Sequence, residues 1–134
     1  MAESYEHKDL VLKSQEWIFS NLIKEEDCFV FVDIDRKLKF ERPIVTLNGY
    51  QPDLVCKGFK NFELVILEAK TKNDIDNIHS INQFKSYFRT CELNIGQSYF
   101  VIAVPFTYGA RVKTVLRNIG LVSTLKTSII VLEL

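Results

Sequence analysis

The sequence predicts a single domain of mixed α/β class over residues 1–134, with a central β-sheet flanked by helices. Short apolar runs rich in β-branched and aromatic residues alternate along the chain with segments whose apolar residues recur at helical spacing. Hydrophobic residues make up 47% of the chain and charged residues 25%, which favours one folded core and argues against intrinsic disorder. No repeat or Pro/Gly/Ser-rich linker divides the chain.

The chain opens with a predicted amphipathic helix over residues 4–26, for which Ser4 is a suitable N-cap. Its apolar face is formed by Leu10, Val11, Trp17, Ile18, Leu22 and Ile23. The next segment, "CFVFVDID" at 28–35, is β-branched and aromatic, and predicts a strand.

The sequence in the middle of the chain predicts two further strands, and a third strand there is uncertain. A strand over 37–46 is one interpretation, but Pro43 favours an edge or irregular segment there. The Asn-Gly pair at 48–49 is a strong turn signal, after which 51–56 is predicted as a strand. Another turn precedes the most apolar strand, 62–69.

The C-terminal half alternates helices and strands. Residues 73–93 carry isoleucines and phenylalanines at helical spacing, and "SYFVIAVPF" at 98–106 predicts a buried strand that ends at Pro105. A short helix over 110–118 stops before a glycine, and 128–134 forms a final strand. The predicted order is therefore α–β–β–β–α–β–α–β.

Composition excludes several classes of protein. No apolar run is long enough to span a bilayer, and the N-terminus lacks a signal-peptide pattern, so we expect a cytoplasmic protein with no membrane partner. Three scattered cysteines form neither a disulfide framework nor a CxxC metal pair. The net charge is zero, but residues 1–68 carry −4 and residues 69–134 carry +4. The basic half suits a polyanion, or is ordinary surface scatter.

One constellation combines two acids and a lysine at strand ends. Asp53 opens one predicted strand, and Glu68 and Lys70 end the next, where alternation places both on one side. Two carboxylates at such a site repel unless a hard divalent cation lies between them, and an ammonium beside them stabilises negative charge in a phosphoryl transition state. A solvated acid–amine pair is the alternative, and a second Glu-x-Lys at 6–8 shows that the triplet alone is not diagnostic.

The stretches "QPDLV" and "ILEAK" resemble the PD-(D/E)XK nuclease superfamily, whose restriction endonuclease-like core is a mixed sheet in the order αβββαβ. The resemblance covers residues 4–104, with an added helix and strand. It implies that Asp53 and Glu68 bind Mg²⁺ (or Mn²⁺), that the carbonyl of Ala69 completes the metal shell, and that Lys70 assists water attack.

Two further matches narrow the resemblance. "QFKSY" is similar to a signature of RecB-like nucleases, which implies that Gln83 and Tyr87 contact DNA or brace the active-site lysine. A solvated Gln beside a half-buried Tyr is the alternative. The first helix loosely resembles that of archaeal Holliday-junction resolvases, which implies an added acid, and Glu6 is our choice because it borders the apolar face. His7 is either a base or an ordinary surface residue.

Candidate phosphate contacts are the cations that flank the proposed site, Lys57, Lys72, Lys85 and Arg89. The late helix carries Arg111, Lys113 and Arg117, which we interpret as its solvated face. The predicted function is a magnesium-dependent deoxyribonuclease, endonuclease rather than exonuclease, with RNA left open as a substrate and a homodimer as a possible assembly. The alternative is a catalytically inactive nucleic-acid-binding or interaction domain of the same fold.

Overall fold

The sheet and helices follow the order that the sequence predicts. The computed structural model describes residues 4–23, 28–32 and 49–134. The elements are α1 (Tyr5–Asn21), β1 (Cys28–Val32), β2 (Leu54–Gly58), β3 (Leu64–Ala69), α2 (Ile78–Leu93), β4 (Ser98–Val104), α3 (Gly109–Asn118) and β5 (Thr127–Glu133). Within the described ranges, no helix has the length and hydrophobicity needed to cross a membrane.

The five strands form one mixed sheet in the spatial order β1-β2-β3-β4-β5. β1, β2 and β3 pair antiparallel, as expected for β2 and β3, which a short turn joins. β4 lies parallel to β3, and β5 parallel to β4. Each parallel pair is connected through a helix, because a parallel connection must return the chain to the same end of the sheet.

The helices cover both faces of the sheet and enclose two cores. α1 packs on one face, where Val11 and Ile18 are fully buried against Leu67 and Val101. α2 and α3 pack on the other face, in a core built around Phe84, Tyr87, Phe100, Ile102 and Val112. The layers are therefore helix, sheet and helix.

The helix boundaries are set by caps. Ser4 caps α1 as predicted, since its side chain accepts the N–H of His7 at 3.1 Å. α2 begins at Ile78 rather than at residue 73, because the Asn77 side chain accepts the N–H of Ser80 at 2.8 Å and ends the preceding turn. Ile75 is fully buried, but it lies in the turn before α2 and is not part of the apolar face of that helix.

The other predicted boundaries shift by a few residues. β2 starts at Leu54 rather than at residue 51, and β4 ends at Val104, just before the predicted proline stop. The possible strand over 37–46, the end of the first predicted strand at 33–35 and the end of the first predicted helix at 24–26 lie outside the described residues.

Candidate metal centre

Asp53 and Glu68 are brought together by the pairing of β2 with β3. The N–H of Asp53 donates to the carbonyl of Leu67 at 3.0 Å, and its Oδ2 accepts the N–H of Ala69 at 2.8 Å. These two bonds bracket Glu68, so the two carboxylates lie side by side at the end of β3. Only 6% of Asp53 and 4% of Glu68 are exposed.

A histidine from the other face of the sheet completes the cluster. The Ser4 cap fixes the first turn of α1, and the following residues Leu10 and Val11 anchor the helix in the core. His7 therefore reaches the start of β2, where its Nε2 lies 3.1 Å from Oδ2 of Asp53. One ligand atom from each of His7, Asp53 and Glu68 lies within 4.8 Å of the other two.

Lys70 is buried beside the cluster and is held from α2. Its Nζ lies 3.5 Å from Oε2 of Glu68 and donates a short hydrogen bond to Oε1 of Gln83. Nε2 of Gln83 lies 3.5 Å from the Tyr87 hydroxyl. Gln83 and Tyr87 are four residues apart on the buried face of α2, so the helix presents Gln83 to the lysine and Tyr87 to Gln83.

Burial sets the electrostatics of the site. It raises the pKa of Glu68 well above the ordinary value of 4.5, the Asp53 charge raises this pKa further, and the nearby Lys70 lowers it only in part. Burial, and then the Glu68 charge, also raises the pKa of the Tyr87 hydroxyl, which therefore stays a proton donor at every physiological pH. Charged Glu68 is thus unfavourable here unless another cation joins the cluster.

The donor set fits a divalent metal ion. Oε1 of Glu68 is buried and accepts no hydrogen bond from the described residues, so it is a carboxylate oxygen that no protein donor occupies. Two carboxylates and one imidazole are ligands of Mn²⁺ and of other first-row divalent ions, and carboxylates alone suit Mg²⁺. The group His7, Asp53 and Glu68 can therefore hold a metal ion.

The residues that the sequence proposes for catalysis meet at one place, but the acid proposed from the first helix does not join them. Asp53, Glu68, Lys70, Gln83 and Tyr87 are all buried in or next to the cluster. The carbonyl of Ala69 as a ligand stays a prediction, since the observed contact uses its N–H.

Glu6 is exposed and lies outside the metal-binding group, whose helical member is its neighbour His7. The signal was present in the sequence. His7 precedes Leu10 by three residues and Val11 by four, which is the spacing of the buried face of α1. A helical wheel centred on the buried residues of α1 places His7, and not Glu6, on the side that faces the sheet.

The predicted phosphate contacts are more scattered. Lys72, Lys85 and Arg89 are exposed, and the last two lie on the side of α2 away from the buried Gln83. Lys57 is four residues along β2 from Asp53, which separates their backbones by about 13 Å. Contact with nucleic acid stays a prediction for all four.

Comparison of the chain with models of known families, with curated proteins and with solved structures finds no match in any of the three. The function must therefore be argued from the chemistry of the cluster.

Proposed function

We propose that the protein is a metal-dependent nuclease that hydrolyses phosphodiester bonds of DNA, an endonuclease with the restriction endonuclease-like core of the PD-(D/E)XK superfamily. The observation that carries the proposal is the unpartnered Oε1 of buried Glu68 beside Asp53 and His7, with Lys70 fixed next to them. The observed strand and helix order agrees with that core.

Each side chain has a distinct proposed role. Asp53, Glu68 and His7 hold Mg²⁺ or Mn²⁺, which, when bound, acts as a Lewis acid and lowers the pKa of a bound water. The imidazole favours Mn²⁺ relative to Mg²⁺, because nitrogen ligands suit the later first-row ions better. Asp53 also orients the histidine through the 3.1 Å contact with Nε2.

Lys70 supplies positive charge at the scissile phosphate. Its ammonium is 3.5 Å from Glu68, and Gln83 holds it on the other side, so it needs no reorganisation when negative charge develops on the phosphate oxygens. A structural lysine would extend its head group into water. The 7% exposure of this one is unusual for an ammonium and favours a catalytic role.

Incubation with DNA tests the proposal. Purified protein is mixed with supercoiled plasmid, linear duplex or single-stranded DNA in Mg²⁺, Mn²⁺ or EDTA. We expect cleavage of the plasmid in Mn²⁺ and Mg²⁺, none in EDTA, and loss of cleavage in Glu68→Ala and Lys70→Ala. Lys72→Ala, which removes an exposed lysine two residues away, is the matched control and should lower the rate only slightly.

Other outcomes would contradict the nuclease proposal in different ways. Metal-independent binding of DNA without cleavage would favour an inactive nucleic-acid-binding domain. Neither binding nor cleavage would favour an interaction domain. Cleavage that persists in a folded Glu68→Ala variant would place the activity elsewhere, or in a contaminant.

A further inference from the structure

Among the described residues, the outer edge of β5 is protected only near Ile129, whose N–H is bonded to the side chain of Ser123. Within the described residues β5 pairs with β4 alone. From Ser128 to Leu132 the strand contains no charged residue and no proline, and Ile129, Ile130 and Val131 are only partly buried. Proteins usually block such an edge with lysine, proline or a bulge, because its free backbone groups pair readily with another strand.

The free backbone groups can be assigned from the alternation of the strand. The N–H of Ile129 donates to Oγ of Ser123 at 2.9 Å and therefore points away from β4, whereas the N–H of Leu134 donates to the carbonyl of Val104 and points toward it. Alternation then directs the N–H groups of Val131 and Glu133 outward. These groups form the template that an added strand would use.

A groove runs beside this edge on the face covered by α3. Its volume is about 430 Å³, which is in the range of sites that bind side chains and small ligands. Five residues of its lining are apolar, Leu116, Leu121, Val122, Ile129 and Val131, and Ser123 also lies in the lining.

The same lining contains two cations, Lys113 and Arg117. Both are exposed, and neither forms an ion pair with any residue in the described ranges. The groove thus combines apolar lining residues with uncompensated positive charge, which favours an occupant that is both apolar and acidic.

We infer that β5 accepts an extended segment of a partner protein as a sixth strand, with apolar side chains in the α3 groove and carboxylates against Lys113 and Arg117. Side chains two residues apart share a face of a strand. Every second residue of the segment would therefore face the groove, and these residues would be apolar and acidic in turn. The inference is separate from the proposed nuclease function, because none of these residues belongs to the metal-binding group.

A second copy of this chain fits the edge poorly. Antiparallel pairing of β5 with β5 of another copy keeps the same faces together, so the two α3 helices would approach each other. Lys113 and Arg117 of one copy would then meet the same cations of the other, and like charges facing each other are unfavourable.

Binding of a designed peptide tests the inference. The probe is a dye-labelled peptide, Thr-Leu-Thr-Glu-Thr-Leu-Thr-Glu, titrated with the full chain up to 1 mM and followed by fluorescence polarisation. We expect saturable binding, a Kd about 10-fold higher for Lys113→Glu/Arg117→Glu, and no binding of a peptide with Lys in place of Glu. The matched control, Lys13→Glu/Lys85→Glu, has the same net charge and lies on α1 and α2, away from β5, so it should bind as the unaltered chain does.

Two measurements test the strand pairing itself. Val131→Pro removes one outward N–H and should abolish binding while the far-UV circular dichroism stays native, since proline is tolerated on edge strands. Hydrogen exchange on the unaltered chain avoids any effect of that substitution on folding. The peptide should slow exchange of the Val131 and Glu133 amides.

The inference is overturned if the acidic peptide shows no binding at 1 mM, or if the Lys-containing peptide binds as tightly. It is equally overturned if an oligonucleotide displaces the peptide from the groove, or if the chain dimerises through this edge and Val131→Pro makes it monomeric.

Discussion

Replacing Glu68 with glutamine should separate the stability of the protein from its affinity for metal. Because the pKa of Glu68 is raised in the folded state, the folded chain holds a proton that the unfolded chain releases. The metal-free protein should therefore lose stability as the pH rises from about 4.5 to the folded pKa, and the full loss is present above it. Glutamine at this position carries no charge and removes the loss.

The magnitude follows from the burial of the carboxylate. A buried group without a full set of hydrogen-bond partners costs about 1–3 kcal/mol, and more when it is charged. Above the folded pKa, Oε1 of Glu68 belongs to a charged carboxylate, whereas glutamine places a neutral amide there. Loss of the 3.5 Å contact with Lys70 opposes the gain, but the net rise in the pKa of Glu68 means that burial and the Asp53 charge outweigh it. We expect Glu68→Gln to stabilise the metal-free protein at pH 8 by about 1–3 kcal/mol, or roughly 4 °C in Tm for each kcal/mol.

Bound metal should make the unaltered protein more stable than Glu68→Gln. An ion at 100 times its Kd stabilises the unaltered protein by about 2.7 kcal/mol, whereas Glu68→Gln should gain little. Thermal unfolding at pH 5 and pH 8, in EDTA and in Mn²⁺, measures both effects, and Glu16→Gln on the exposed side of α1 is the control. A Glu68→Gln variant that is less stable than the unaltered protein at pH 8 in EDTA would show that the Lys70 ion pair dominates. Equal stabilisation of both proteins by Mn²⁺ would refute the metal site.

Three further substitutions test individual contacts. Gln83→Ala should lower DNA cleavage about 10-fold while Mn²⁺ affinity is unchanged, because it removes the support of Lys70 rather than a ligand; an unchanged rate would refute that support. His7→Ala should weaken Mn²⁺ binding at least 10-fold by calorimetric titration, and Glu6→Ala should leave it unaltered; the opposite result would restore the glutamate as the ligand. Glu133→Ala should reduce the free energy of unfolding by about 1 kcal/mol, because its carboxylate accepts the N–H of Thr107 in the turn before α3; urea unfolding measures this, and no loss would refute the contribution of this hydrogen bond.

The fold was predictable because local patterns agree with the long-range packing. The apolar runs that predict β3 and β4 are buried, except at Tyr99 in β4, and the helical spacing around Phe84 and Tyr87 marks the face that packs on the sheet. The start of α2 was not predictable from periodicity. Ile75 matches the helical spacing, but its side chain is buried from the turn that precedes the helix.

The site was predictable only in the part that lies on strands. Alternation alone places Glu68 and Lys70 on one side, and a short turn is enough to bring Asp53 to them. The residue from α1 depends on how the helix is rotated against the sheet, and a rotation of about 100° exchanges Glu6 for His7. That rotation is fixed by tertiary contacts of Leu10 and Val11, which local spacing indicates but does not measure.

The position of His7 gives the first turn of α1 a second anchor. Helix ends fray, and this one is linked to the sheet by a histidine 46 residues away in sequence from its carboxylate partner. An ion shared by the two would act as a removable cross-link that closes this long loop and resists peeling of the amino-terminal helix. Chelation would then expose the helix to proteases well before the sheet itself melts.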